Sequence, residues 1–424
     1  MRSTSAVLAA PPTGAPHHPP RLARPHPLPL LPDPVCELPA PGAELEFWAE
    51  ARRRGTPLIG PDPEGSADHC AVTFLHRGTP HTRAVLALPN KLTDPRAPEA
   101  NLMRRAPGTD VWHWTVRLRQ DWYGSYDLCA DDGEEPLPEP PGSPAHWQAL
   151  RTRHRPDRYN SRTLPRRWGG EPVPWAALPG APEGADWEPR AGVPRGTAER
   201  HLLPGASRHV WLYTPPATAP ADPEGLPVLV LLDGEHWQSR LGLAHLLDNL
   251  IADGRIPPLA AVLPESVDPA RRWADMTCRP EFADFLTGEL LPWAAARLPL
   301  TTDPARTVIA GQSLGGLTAA YTACRAPHRF GAVLAQSGSF WWPADHRSQW
   351  LTGALARGPR LPVRFRLSFG EQEWVALPAA HRLRDTLAAA GYRDAVYREF
   401  NGGHDYLCWR TELADGLVEL LGGG

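Results

Sequence analysis

Short strand-like runs of mainly apolar residues begin near Ala71. Ala71–Leu75, Ala84–Leu88, Val111–Leu118 and Ser125–Leu128 are rich in β-branched and aromatic residues. Val111 to Leu118 places apolar residues at alternate positions, as a half-buried strand does. Turn residues separate these runs, and no long helical pattern intervenes. A small antiparallel β-sandwich over 42–150 is predicted. Ahead of it, Glu44 to Arg54 has an amphipathic helical pattern closed by Gly55.

The pattern changes past residue 195. Arg208–Tyr213 reads as a strand, and Pro227–Leu232 is a continuous apolar run of the kind buried on both faces of a sheet. Leu259–Leu263, Thr307–Ala310, Phe330–Ala335, Val363–Phe369 and Ala395–Phe400 follow as further strands. Helical patterns lie between most of them, as at Leu241–Ala252, Glu281–Leu298 and Ala379–Ala390. This alternation predicts a mainly parallel α/β sheet over 195–424. Residues 1–41 are proline-rich with little to build a core, and are expected to be a disordered tail. Residues 151–194, rich in Pro, Gly and Trp, are expected to form an irregular connector.

A chain of 424 residues favours two domains, and 42% hydrophobic content supports real cores. The net charge of −3 leaves no basic excess to neutralise phosphates, which argues against nucleic acid as a partner. Lys91 is the only lysine among the cations, as GC-rich codon usage produces. The six cysteines are scattered without a C-x-x-C pair, which favours free thiols in a reducing compartment. No apolar run approaches transmembrane length, and the N-terminal Ala6–Ala10 run is too short for a good signal segment. A cytoplasmic protein without membrane attachment is expected.

The candidate chemistry centres on Gly311-Gln312-Ser313-Leu314-Gly315, between a β-branched run and a helical one. Gly-x-Ser-x-Gly at a strand-to-helix turn is the nucleophile elbow of α/β-hydrolases. A serine hydroxyl needs a base within hydrogen-bond reach, and that base needs an orienting carboxylate. His404, in a glycine loop after the last predicted strand, is the expected base. Glu373 follows the strand Val363–Phe369 and is the leading acid, ahead of Glu371 and Asp405. The Leu314 N–H is one expected oxyanion donor. The Gly234 or Glu235 N–H, in the turn after Leu232, is the other.

Four stretches together carry a resemblance: Val230–Trp237, Ala310–Leu317, Gln336–Pro343 and Gly402–Arg410. In that order they resemble the enterochelin (enterobactin) esterase family, within the esterase D-like α/β-hydrolases. Phe47-Trp48, Gly55–Ile59, Val111–Trp114 and Gly124–Asp127 look like the N-terminal β domain of those esterases. The resemblance implies an α/β-hydrolase catalytic domain preceded by a small antiparallel β-sandwich. It further implies hydrolysis of the lactone esters of a ferric tris-catecholate siderophore inside the cell, with Ser313, His404 and Glu373 as triad. Iron then enters only with the substrate, and no cofactor is implied. Arg272 matches an arginine whose guanidinium suits the anionic ferric catecholate; an ion pair to Asp275 is the plainer reading. Leu314 stands where an aromatic residue is expected in enterobacterial members of the family.

Trp341 and Trp342 are expected either to stack on catechol rings or to pack in the core. Trp112, Trp114 and Trp122 are expected in the core of the β domain. Two other functions stay open: a carboxylesterase, feruloyl esterase or acyltransferase on another acyl group, and a non-catalytic siderophore-binding protein.

Overall fold

The computed structural model describes residues 11–12, 18–133, 135–182, 184–217, 222–345 and 348–422. The described residues fall into two units: Ala23–Pro182 together with Asn401–Cys408 form one, and the remainder form the other.

The first unit is an antiparallel sandwich. One sheet runs in the order Leu30–Leu31, Val111–Arg119, His69–Arg77, Leu58–Pro61, with Arg104–Arg105 paired to Val111–Arg119. The other runs Ala84–Pro89, Tyr123–Asp131, Val173–Ala177, Thr163–Leu164, with His154–Arg155 paired to Tyr123–Asp131. Val72, Phe74, Trp114 and Val116 of the first sheet share one core with Val85, Ala87, Tyr126 and Leu128 of the second. Trp112, Trp114 and Trp122 belong to it, as their pattern predicts. The helix Glu44–Arg54 ends at Gly55, whose φ of 77° takes the chain out of the helical region.

The sandwich is larger than expected. Part of the expected tail pairs with it, since Leu30–Leu31 lies against Thr115–Val116; residues 1–10 and 13–17 of that tail lie outside the described residues. The expected connector supplies three strands, and the unit reaches Pro182 rather than 150. These strands are two to five residues long and one contains Pro174. Such runs are too short to show a period, and proline there fits only an edge or a locally interrupted ladder.

The second unit holds an eight-stranded sheet: β1 (Thr197–Leu203), β2 (Arg208–Thr214), β3 (Val228–Leu231), β4 (Ala260–Pro264), β5 (Thr307–Gln312), β6 (Ala332–Gln336), β7 (Arg364–Gly370) and β8 (Val396–Phe400). Their order is β1-β2-β4-β3-β5-β6-β7-β8. β1 and β2 form an antiparallel hairpin, β2 meets β4 antiparallel, and every other pairing is parallel. Every residue of β3, β4, β5 and β6 is buried. Central parallel strands are covered on both faces, which is why they read as unbroken apolar runs. Among the described residues no helix is long and apolar enough to cross a membrane.

Candidate active site

Ser313 occupies the turn between β5 and the helix Leu314–Arg325, with φ 57° and ψ −120°. A non-glycine residue with positive φ is strained, and here the strain projects the hydroxyl out of the turn. From Gly311 to Cys324 the chain is buried except at Ser313, which is partly exposed. Its N–H donates to the Gln336 carbonyl at 3.0 Å, and its carbonyl accepts from Ser339 N at 2.9 Å. The two motif glycines are not equivalent. A Cβ on Gly311 would lie 2.5 Å from the Gly315 backbone, whereas one on Gly315 would meet nothing nearer than 3.7 Å.

Leu314 opens the helix, so its N–H is among those with no intrahelical acceptor. Gly234 likewise opens the short helix Gly234–Trp237 after β3, and Asp233 before it has φ 68°. A Cβ at Gly234 would sit 2.3 Å from the Leu263 carbonyl oxygen, so only glycine fits against β4.

Arg272 ties these two turns together. Its Nε and Nη2 donate to the two carboxylate oxygens of buried Asp233 at 3.0 and 2.8 Å, and Nη2 also reaches the Gln312 carbonyl at 3.1 Å. Ser266 Oγ adds a 2.6 Å bond to Asp233 Oδ1. The plainer sequence reading paired Arg272 with Asp275, but Asp275 is taken by Arg208 and Arg271. The side chain of Arg272 is 14% exposed. A buried amide relay runs beneath the elbow: Trp237 Nε1 donates to Gln312 Oε1, Gln312 Nε2 to Gln336 Oε1, and Gln336 Nε2 to the Trp409 carbonyl, at 2.8, 2.7 and 2.7 Å.

Glu373 is 2% exposed. Its Oε1 accepts from Ser337 Oγ at 2.5 Å and from Gly370 N at 2.8 Å, and Ser337 Oγ accepts in turn from Trp409 Nε1 at 2.8 Å. Glu371 is only partly buried, and its N–H caps the Phe400 carbonyl. Trp341 and Trp342 lie in the hydrophobic core at 8% and 2% exposure, with Trp342 edge-on to Trp350. Core packing, one of the two readings the sequence allows, accounts for Trp342.

His404 lies in the 401–408 segment that belongs to the sandwich unit, and it is partly exposed. Its carbonyl accepts from Asn90 Nδ2 at 3.0 Å. Asp405, the third acid the sequence offers, accepts from Ser125 N through Oδ2 and from Leu407 N through Oδ1, at 2.5 and 3.0 Å. It thus caps the helix Tyr406–Leu421 and anchors its own loop. The sequence reading did not find Asp233, Gln312, Gln336, Ser337 or Trp409 as site framework. Their only signal was membership of the four matching stretches.

Comparisons with known proteins place the chain in a family. A family model described as "Putative esterase" matches residues 203–420, and another, "Enterochelin esterase, N-terminal", matches 71–187. The chain is 33% identical to the iron(III) enterobactin esterase of Dickeya dadantii, over 90% of this chain and 93% of that one. The chain belongs to the enterobactin esterase family. The iron(III) salmochelin esterase of Escherichia coli is 32% identical, over 89% of this chain and 93% of its own. Crystal structures agree along the length of the chain. The enterobactin esterase of Shigella flexneri, crystallised in the presence of enterobactin, aligns with a TM-score of 0.76 at 28% identity, over 88% of this chain and 97% of that one. The ferric enterobactin esterase of Salmonella typhimurium aligns with a TM-score of 0.76 at 30% identity, over 88% and 98%. As a member of this family the chain is a carboxylic ester hydrolase, with the α/β-hydrolase fold and N-terminal β domain that its sequence predicts.

Proposed function

We propose that this chain hydrolyses the trilactone esters of a ferric catecholate siderophore of the enterobactin type, in the cytoplasm, and so helps release iron. The observation that carries the reading is likeness to iron(III) enterobactin esterases over 90% of the chain, combined with a strained serine at the elbow. Ser313 is the nucleophile, His404 the general base and Glu373 the orienting acid. The Ser313 oxygen attacks a lactone carbonyl carbon while His404 takes its proton. The N–H groups of Leu314 and Gly234 stabilise the tetrahedral oxyanion. Collapse expels the alkoxide, which takes the proton from His404, and leaves an acyl-serine. Water, deprotonated by His404, then releases the acid and restores the hydroxyl. Iron travels with the substrate and takes no part in the acyl chemistry. Arg272, whose side chain stays 14% exposed beside Asp233, is the contact for the anionic ferric catecholate.

The test compares ferric enterobactin with simple aryl esters on wild type and Ser313→Ala, with products followed by mass spectrometry. Linear and monomeric catecholoyl-serine products from wild type, and none from Ser313→Ala, support the reading. Comparable turnover of small aryl esters points instead to a generalist esterase. Tight siderophore binding without hydrolysis, and without labelling by a serine-directed phosphonate, points to a carrier.

A further inference from the structure

The segment carrying His404 contains Gly402 and Gly403, so it has little side-chain bulk with which to hold itself. It is fastened instead by residues of the β-sandwich. Asn90, at the end of the strand Ala84–Pro89, donates to the His404 carbonyl at 3.0 Å. The Ser125 N–H, on the strand Tyr123–Asp131, donates to Asp405 Oδ2 at 2.5 Å. Before the histidine, Asn401 Nδ2 donates to Asp121 Oδ1 at 2.6 Å, and its carbonyl accepts from Tyr123 N at 3.3 Å. Gly403 lies so close to Asn90 that a Cβ there would be 2.6 Å from Asn90 Oδ1 and 2.8 Å from the Asn90 carbonyl oxygen.

Residues on both sides of His404 are thus fixed to one end of the second sheet of the sandwich, and the histidine's own carbonyl is one of the anchored atoms. General-base catalysis depends on placement of the imidazole to a fraction of an ångström, and a misplacement of about 1 Å costs about a hundredfold in rate. We infer that Asn90 and Asp405 are positioning residues for the base, holding the loop that carries it against the sandwich. The inference rests on the reading of His404 as base. It explains why glycine is required at 403, where any side chain would displace Asn90 or the loop.

The experiment measures kcat and KM on ferric enterobactin, and the rate of phosphonate labelling of Ser313, for Asn90→Ala, Asn90→Asp, Asp405→Asn and His404→Ala, with thermal unfolding for each. Asn90→Asp keeps the shape and loses the donor; Asp405→Asn keeps one acceptor oxygen. The expected result is kcat lowered about tenfold or more in both Asn90 variants, with KM within about twofold and labelling slowed in parallel. Asp405→Asn should fall between wild type and the Asn90 variants. His404→Ala at wild-type kcat would overturn the base assignment, and this inference with it. His404→Ala inactive while both Asn90 variants and Asp405→Asn keep wild-type kcat would overturn the inference alone. So would a loss that vanishes once rates are corrected for folded protein.

Discussion

The hydroxyl of Ser337 donates to Glu373 Oε1 at 2.5 Å, inside a region where Glu373 is 2% exposed. A carboxylate removed from water needs such donors, and Ser337 also receives the Trp409 indole N–H. Ser337→Ala should remove one acceptor from Trp409 Nε1 and one donor from Glu373. The expected outcome is a stability loss of about 1–3 kcal/mol by urea unfolding. On the proposed triad, in which Glu373 orients His404, a fall in kcat larger than the change in KM should accompany it. Unchanged kcat on ferric enterobactin would separate Glu373 from the catalytic triad.

The glycines of the elbow predict opposite responses. Gly311→Ala forces a Cβ to within 2.5 Å of the Gly315 backbone, so the turn must open and stability should fall by about 2 kcal/mol or more. Gly315→Ala meets only ordinary contacts within the helix Leu314–Arg325. Its helix propensity should hold or raise stability, by up to about 1 kcal/mol. Equal destabilisation of the two variants would contradict the geometry.

How much of this was legible follows from sequence distance. The elbow, the buried central strands and the helix Glu44–Arg54 announce themselves through local period and punctuation. The Asp233–Arg272 pair and the Gln312–Gln336 relay bring together residues far apart in sequence, and nothing local marks them. Val173–Ala177 reads as connector because five residues with a proline at the second position show no strand period. The attachment of 401–408 to the sandwich was hidden for the same reason as Asp233–Arg272: its partners, Asn90 and Ser125, lie some 280 or more residues upstream.

Arg272 offers a test that separates a brace from a ligand contact. With Asp233 fully buried, Arg272→Ala leaves a carboxylate without its bidentate partner, beside the turn that presents Gly234. The expected outcome is a fall in kcat on a neutral aryl ester as well as on the ferric siderophore, with an additional rise in KM for the anionic substrate alone. Arg272→Lys should recover little, because an ammonium cannot reproduce the fork. Full activity of Arg272→Ala on the neutral ester would confine the residue to substrate charge.

The sandwich carries its own pH dependence at His76, on the strand His69–Arg77. Burial pulls its imidazole down to about 4; Arg155 and Arg158 act in the same direction, and Asp132 opposes them. The native state therefore keeps His76 neutral while the unfolded chain takes up a proton as pH falls below its ordinary value of about 6.5. More protons bind the unfolded state between those two values, so stability is lost as pH falls from about 6.5 to about 4, and no further below. The slope from one such group is at most about 1.4 kcal/mol per pH unit. Urea unfolding of the full chain at pH 7.5, 6 and 5 should show the wild type losing more stability on acidification than His76→Gln, whose side chain does not titrate. Parallel pH profiles for the two proteins would show that His76 is free to protonate in the folded state.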